Sequence, residues 1–178
     1  MLVYIARHGE ATHNPDHLFH DTTVPDVELT SKGIQQSAAL AEELRAAKPE
    51  AIFVSELKRT RQTADIVNSI HNVPEIVDPL LNDIVSGIAG KPVNEFRTLL
   101  TNSADPWNAH FEGGESYNEV KARAELFLEK LKTMPYGCVL VVTSGGLANI
   151  LYGLENGLSN EEMFNRPIEN AALLSITI

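Results

Sequence analysis

The apolar residues of this 178-residue chain fall into short saturated runs, separated by stretches in which hydrophobic positions recur every three or four residues. The runs at 2–6, 51–54 and 137–143 are dominated by Val, Ile and Leu and are too short for helices, so they read as strands buried on both faces. Shorter strands are predicted at 75–77 and 171–178. Helical periodicity marks 34–47, 56–71, 116–134 and 146–154. In the first, Ile34, Ala38, Leu40, Ala41 and Leu44 recur at helical spacing and Thr30 is placed to cap. In the second, Ile66, Val67 and Ile70 are expected to face inward. Strands alternating with helices predict an α/β fold, a three-layer sandwich with a mainly parallel central sheet and helices on both faces. The pattern does not order the strands.

One stretch breaks the alternation. Residues 81–115 carry Gly87, Gly90, Pro92, Pro106, Gly113 and Gly114, which predicts an irregular excursion with one short helix near 92–101, the kind of segment that covers a site. The whole chain, 1–178, is read as a single domain with this excursion as its lid. A hydrophobic fraction of 43% and a charged fraction of 21% are those of a folded globular protein that needs no metal or disulfide. Cys138 is the only cysteine, set among apolar residues, and is expected to be a small buried hydrophobe in a reducing compartment. No basic-then-apolar leader and no bilayer-length segment is visible, so a cytoplasmic location is expected. The net charge of −10 argues against a nucleic-acid partner. It leaves room for an anionic small substrate wherever Arg7, Arg59 or Arg61 reverse the charge locally.

Chemistry enters where the strands end. Arg7-His8-Gly9-Glu10 follows the first strand directly, and α/β sheets bind ligands beyond the carboxyl ends of their strands. An imidazole flanked by a guanidinium stays unprotonated and nucleophilic near neutrality, and the guanidinium can hold an oxyanion. The run from Ser55 to Ala64 lies at a second strand end. Alone it reads as an ordinary exposed helix start, but with the first motif it places Arg59 beside the same ligand position.

In order and spacing, Arg7-His8-Gly9-Glu10, Asn14, Leu29-Thr30-x-x-Gly33, Ser55-x-Leu57-x-Arg59-x-x-Gln62-Thr63-Ala64 and Gly113-Gly114-Glu115-Ser116 resemble the histidine phosphatase superfamily, also called phosphoglycerate-mutase-like. The resemblance spans nearly the whole chain. It implies metal- and cofactor-free hydrolysis of a phosphomonoester, on a small metabolite or a phosphoprotein, with His8 taking the phosphoryl group. Arg7, Arg59 and Asn14 match the phosphate-holding positions, and Asp83 falls where the family has a glutamate that serves as acid and base. Two departures follow. Asp83 is one methylene shorter than that glutamate, and Ser144, before Gly145 and Gly146, stands where a second histidine is usual. Serine and the backbone N–H groups of a following helix can still bind phosphate, but without a full positive charge. Losing one such donor costs about 10²- to 10³-fold in rate, so a slow or specialised phosphatase is expected.

Other readings remain beside this one. His13 and His17 have the spacing of a helical zinc pair, but Pro15 between them breaks the helix, and no metal is expected. His13, His17 and His20 are then loop residues or part of the substrate mouth, His71 is structural, and His110, near Gly113, could replace the absent histidine. Ser144 imitates a nucleophile elbow, yet no histidine follows it in the chain, so a helix cap is the better reading. A mutase and a non-catalytic phosphate-binding scaffold are the alternatives in function. Trp107 is read as packing, with Phe111 and Tyr117 left as packing or pocket. Oligomeric state is not legible.

Overall fold

Successive residues of each central strand enter two different cores. The structure is a computed structural model describing residues 1–178. Its strands are β1 (Leu2–Arg7), β2 (Ala51–Val54), β3 (Glu75–Val77), β4 (Cys138–Thr143) and β5 (Leu173–Thr177), in the sheet order β3-β2-β4-β1-β5. All pairings are parallel except that of β5, which runs antiparallel on the outer side of β1. Val3, Ile5, Ala51, Phe53, Val139 and Val141 face one core, while Ala6, Ile52, Val54, Leu140 and Val142 face the other. This two-sided burial is why these runs show no polar alternation.

Helices α1 (Ser31–Glu43) and α2 (Lys58–Asn68) close the second face through Leu40, Ala41, Ala64 and Val67. The first face is closed by α3 (Val93–Asn102), α4 (Tyr117–Lys132) and α5 (Gly145–Asn156). There Phe53 and Phe127 meet edge to face at 5.8 Å, each fully buried and each contributing about 2–3 kcal/mol of apolar transfer. A short α6 (Asn160–Asn165), absent from the sequence expectation, is started by the reciprocal Ser159–Glu162 capping box. A like box between Ser116 and Glu119 starts α4.

Several expectations change in detail. The Thr30 side chain accepts from the Gly33 N–H, so α1 begins at Ser31, earlier than the apolar pattern suggests. Its buried face is Gly33, Ser37, Leu40, Ala41 and then Leu44, leaving Ile34 half exposed and Ala38 outside. The cause is close packing. A Cβ on Gly33 would come within 2.0 Å of the Glu10 carbonyl oxygen, and one on Gly9 within 2.5 Å of the Gly33 carbonyl oxygen. Only glycine lets the turn after β1 rest on α1, which rotates the small residues inward and Ile34 outward. In α2, Val67 is buried but Ile66 is only half-buried. Cys138, expected to be buried, is half-buried at the start of β4, and burial with nearby Glu50 pushes its thiol up.

The excursion is largely irregular with α3 as its helix, and it is pinned rather than loose. Asp21 accepts from the backbone N–H and hydroxyl of Ser86, and Glu115 accepts from the Val85 N–H while pairing with Arg123. The Gly9–Gly33 contact should be the least forgiving point of the frame. Gly33→Ala is expected to cost about 3 kcal/mol, seen as a fall of about 10 °C in the thermal midpoint by circular dichroism. An unchanged midpoint would contradict the packing account.

Candidate active site

β1 and α2 deliver the two central side chains. His8 follows β1, its N–H bonded to the Thr143 carbonyl of neighbouring β4, and Arg59 lies in the first turn of α2. His8 is buried, and Arg59 has no exposed surface. The His8 Nδ1–H donates to the Gly9 carbonyl at 2.7 Å, which leaves the lone pair on Nε2. Arg59 Nε–H donates to that Nε2 at 3.1 Å. Burial, then the charges of Arg59 and Arg7, hold the imidazole well below its ordinary range, so it is neutral near pH 7.

Arg59 is fixed at its other end. Its guanidinium donates to the His20 carbonyl at 2.8 Å, to His20 Nδ1 at 3.4 Å and to the Asp83 carboxylate at 3.3 Å. Asp83 also accepts from the Ile84 N–H, which sets its carboxylate beside Arg59. Arg7, at the end of β1, donates to the Ile168 carbonyl at 2.6 Å, while its buried Nε has no partner. Burial lowers the Arg7 guanidinium from its ordinary value, partly offset by Asp83 and Glu169. A side chain on Gly145 would press on Arg7, within 3.3 Å of Nε, so the first residue of α5 must be small.

A cavity of about 390 Å³ lies at the carboxyl ends of the strands, with Arg59 behind its lining and fully buried. Of the candidates, His8, Arg7, Asn14, Asp83 and Gly145 all line it. Ser144 lies just behind this wall. It occupies the cap position of α5, but its side chain makes no capping bond and its buried Oγ is unpartnered, so the expectation of a helix cap is corrected. Asn14 Oδ1 accepts from the Ala11 N–H and from Asn170.

Other expectations separate. His13 and His20 belong to the cavity, whereas His17 is exposed outside it. His110 is exposed, donates to the Phe111 carbonyl and does not reach the cavity, so it does not replace the absent histidine. Arg61 is exposed on the outer side of α2, two residues after Arg59. The wall opposite His8 instead carries Arg97, Arg166 and Tyr117, with Trp107 packed on Tyr117 at 5.4 Å and Phe111 on Phe96. Arg166, Ile168 and Asn170 escaped the sequence reading because they precede β5. Only its antiparallel return beside β1 brings them to Arg7 and His8, where Asn170 donates to the His8 carbonyl.

The sequence profile of the histidine phosphatase superfamily (branch 1) matches residues 3–178. The chain belongs to the histidine phosphatase superfamily. Relatives of this chain include fructose-2,6-bisphosphatase TIGAR B of Danio rerio, 34% identical over 133 residues that cover 71% of this chain and 51% of that one. The chain thus spans about half the length of that relative. The GpmB protein of Enterobacter sp. (strain 638), which carries a phosphoglycerate mutase name, is 30% identical over 83% of this chain and 71% of its own. Among solved structures, the alpha-ribazole phosphatase from Shigella flexneri superposes with a TM-score of 0.85 at 25% identity, covering 100% of this chain and 91% of that one.

The neutral imidazoles have a thermodynamic consequence. His8 is held well below 6.5, and burial, then Arg59, lower His13 to about 3, whereas the unfolded chain takes up protons near 6.5. The folded state therefore binds fewer protons below pH 6.5, and stability falls as pH drops from there. His8 alone contributes a slope of about 1.4 kcal/mol per pH unit, and His13 adds to it in the same direction down to about pH 3. Urea unfolding at pH 7, 6 and 5 should show this decline, and His8→Ala should remove one proton from it. Equal slopes in parent and variant would contradict a neutral, buried His8.

Proposed function

We propose that this histidine phosphatase is a metal-independent phosphomonoester hydrolase working through phospho-His8. The observation that carries the reading is the unprotonated His8 Nε2, oriented by Gly9 and held by the buried Arg59, on a residue that lines a cavity together with Arg7. In the first step the His8 Nε2 lone pair leaves its hydrogen bond from Arg59 Nε–H and attacks phosphorus, the N–P bond forms and the P–O bond breaks. The substrate enters as its monoanion, and the Asp83 carboxylate passes the phosphoryl proton to the leaving oxygen. In the second step water attacks phosphorus, the Asp83 carboxylate takes the water's proton and hands it to the departing phosphate, and the N–P bond breaks to restore the Nε2 lone pair.

The guanidinium groups of Arg7 and Arg59 hold the equatorial oxygens as charge shifts from the leaving oxygen, Arg59 through the Nε–H released when the His8 lone pair turns to phosphorus. The unpartnered Arg7 Nε and Ser144 Oγ supply further donors. So do the backbone N–H groups at the start of α5, beginning with Gly145, and the free hydrogen of Asn14 Nδ2. With serine at 144 the site holds one cation fewer than a second histidine would give, which favours slow turnover. The whole chain acts as one domain, and the segment 81–115 contributes Asp83, Ile84, Val93, Phe96 and Arg97 as the wall that selects the substrate. A cavity of about 390 Å³ suits a small phosphorylated metabolite better than a folded phosphoprotein.

Rapid quenching in alkaline detergent after exposure to p-nitrophenyl phosphate should trap base-stable phosphate on the parent protein, which later acid treatment removes. His8→Ala should lose that adduct and at least about 10³-fold in kcat/KM. Parental turnover by His8→Ala would overturn the proposal. With 3-phosphoglycerate, inorganic phosphate should be released, and isomerisation without release would point to a mutase.

A further inference from the structure

The third imidazole of the cavity has an unusual hydrogen-bond state. Asn14 Oδ1 already accepts from Ala11 and Asn170, which orients the carboxamide so that Nδ2 donates to His13 Nε2 at 3.0 Å. Nε2 is therefore the accepting nitrogen of His13, and the proton of the neutral ring is on Nδ1. That Nδ1 is buried and has no partner.

Its neighbours offer no acceptor. The His13 ring lies 6.1 Å from that of His8 and 5.4 Å from that of His20, centroid to centroid. The His8 lone pair is taken by Arg59 Nε. His20 Nε2–H donates to the Pro25 carbonyl, and its Nδ1 lone pair is taken by Arg59. After burial, the groups that lower His13 are Arg59, His20 and Arg7, none of them an acceptor for its Nδ1–H, and the Asp83 carboxylate of the same cavity is paired with Arg59. A buried N–H without an acceptor costs about 1–3 kcal/mol, and here it lies in a positive field on the wall of the cavity that holds His8. An oxyanion in the cavity satisfies the donor and the field together.

We propose that His13 donates its Nδ1–H to an oxygen of the phosphoryl group on or approaching His8, supplying the imidazole hydrogen bond that Ser144 does not. The inference rests on the phosphohistidine reading and adds to it a phosphoryl-binding residue outside the matched motif positions. Burial and the nearby guanidinium charges keep the ring neutral, and a neutral ring still donates to an anion.

The two ring nitrogens can be tested separately, because asparagine places its amide nitrogen near Nδ1 and glutamine places its own near Nε2. His13→Gln should weaken orthovanadate binding and lower kcat each by about 10²-fold, while His13→Asn stays within about tenfold of the parent. Ser144→His should raise kcat more in the His13→Gln background than in the parent, since the two donors then do one job. If His13→Gln binds orthovanadate and turns over like a parent that forms the phosphoenzyme, this inference is wrong and the phosphohistidine reading stands. If the parent forms no phosphoenzyme, that reading fails instead. Binding is read apart from turnover, and apart from the folding of any variant, in the ¹⁵N spectrum of the parent. Adding inorganic phosphate should shift His13 Nδ1, and an unmoved signal in a phosphate-bound protein would overturn the proposal.

Discussion

A guanidinium with no exposed surface lies 3.1 Å from an imidazole nitrogen, and the rest of the site is arranged around that pair. Burying the Arg59 charge is costly. The cost is offset by the His20 carbonyl and by Asp83, whose removal from a buried pair would typically cost about 3–5 kcal/mol. Burial and then this charge keep His8 unprotonated. Arg7 Nε, Ser144 Oγ and His13 Nδ1 are buried as well and have no partner. A chain of net charge −10 thus carries a local positive field, concentrated where three strands end.

The motif residues that never touch the cavity explain how the pair is held. Thr63 accepts from the Gly9 N–H and donates to the Arg59 carbonyl, tying the turn after β1 to the helix that carries Arg59. Gln36 accepts from the Glu10 N–H and Gln62 from the Leu29 N–H, so side chains of α1 and α2 satisfy the backbone of the loops at the cavity mouth. Gly9 and Gly33 let those elements touch. The recurring residues therefore act as a clamp on the distance between His8 and Arg59.

What the sequence revealed divides along physical lines. The strands at 2–6 and 51–54 were legible because burial on both faces leaves saturated apolar runs; Arg7 and His8 were legible because they follow such a run directly, and Arg59 only in combination with that motif. The face of α1 was misjudged because close backbone approach, which selects Gly33 and Ser37, outweighed the burial of Ile34. Arg166, Ile168 and Asn170 were hidden because their place depends on strand order, which local pattern does not contain. His13 was read as a loop residue or part of the substrate mouth, and it lines the cavity; its tautomer was not legible because it is fixed by Asn14 and Asn170, residues separated by most of the chain.

The central claim is that His8 is a neutral imidazole with its proton on Nδ1 and its lone pair on Nε2. Histidine ¹⁵N NMR on the ligand-free protein reads this directly. From pH 8 to pH 5, the account predicts one protonated signal for Nδ1 and one unprotonated signal for Nε2, with neither moving. Protonation of both nitrogens within that range, or a proton on Nε2 at pH 8, would contradict it.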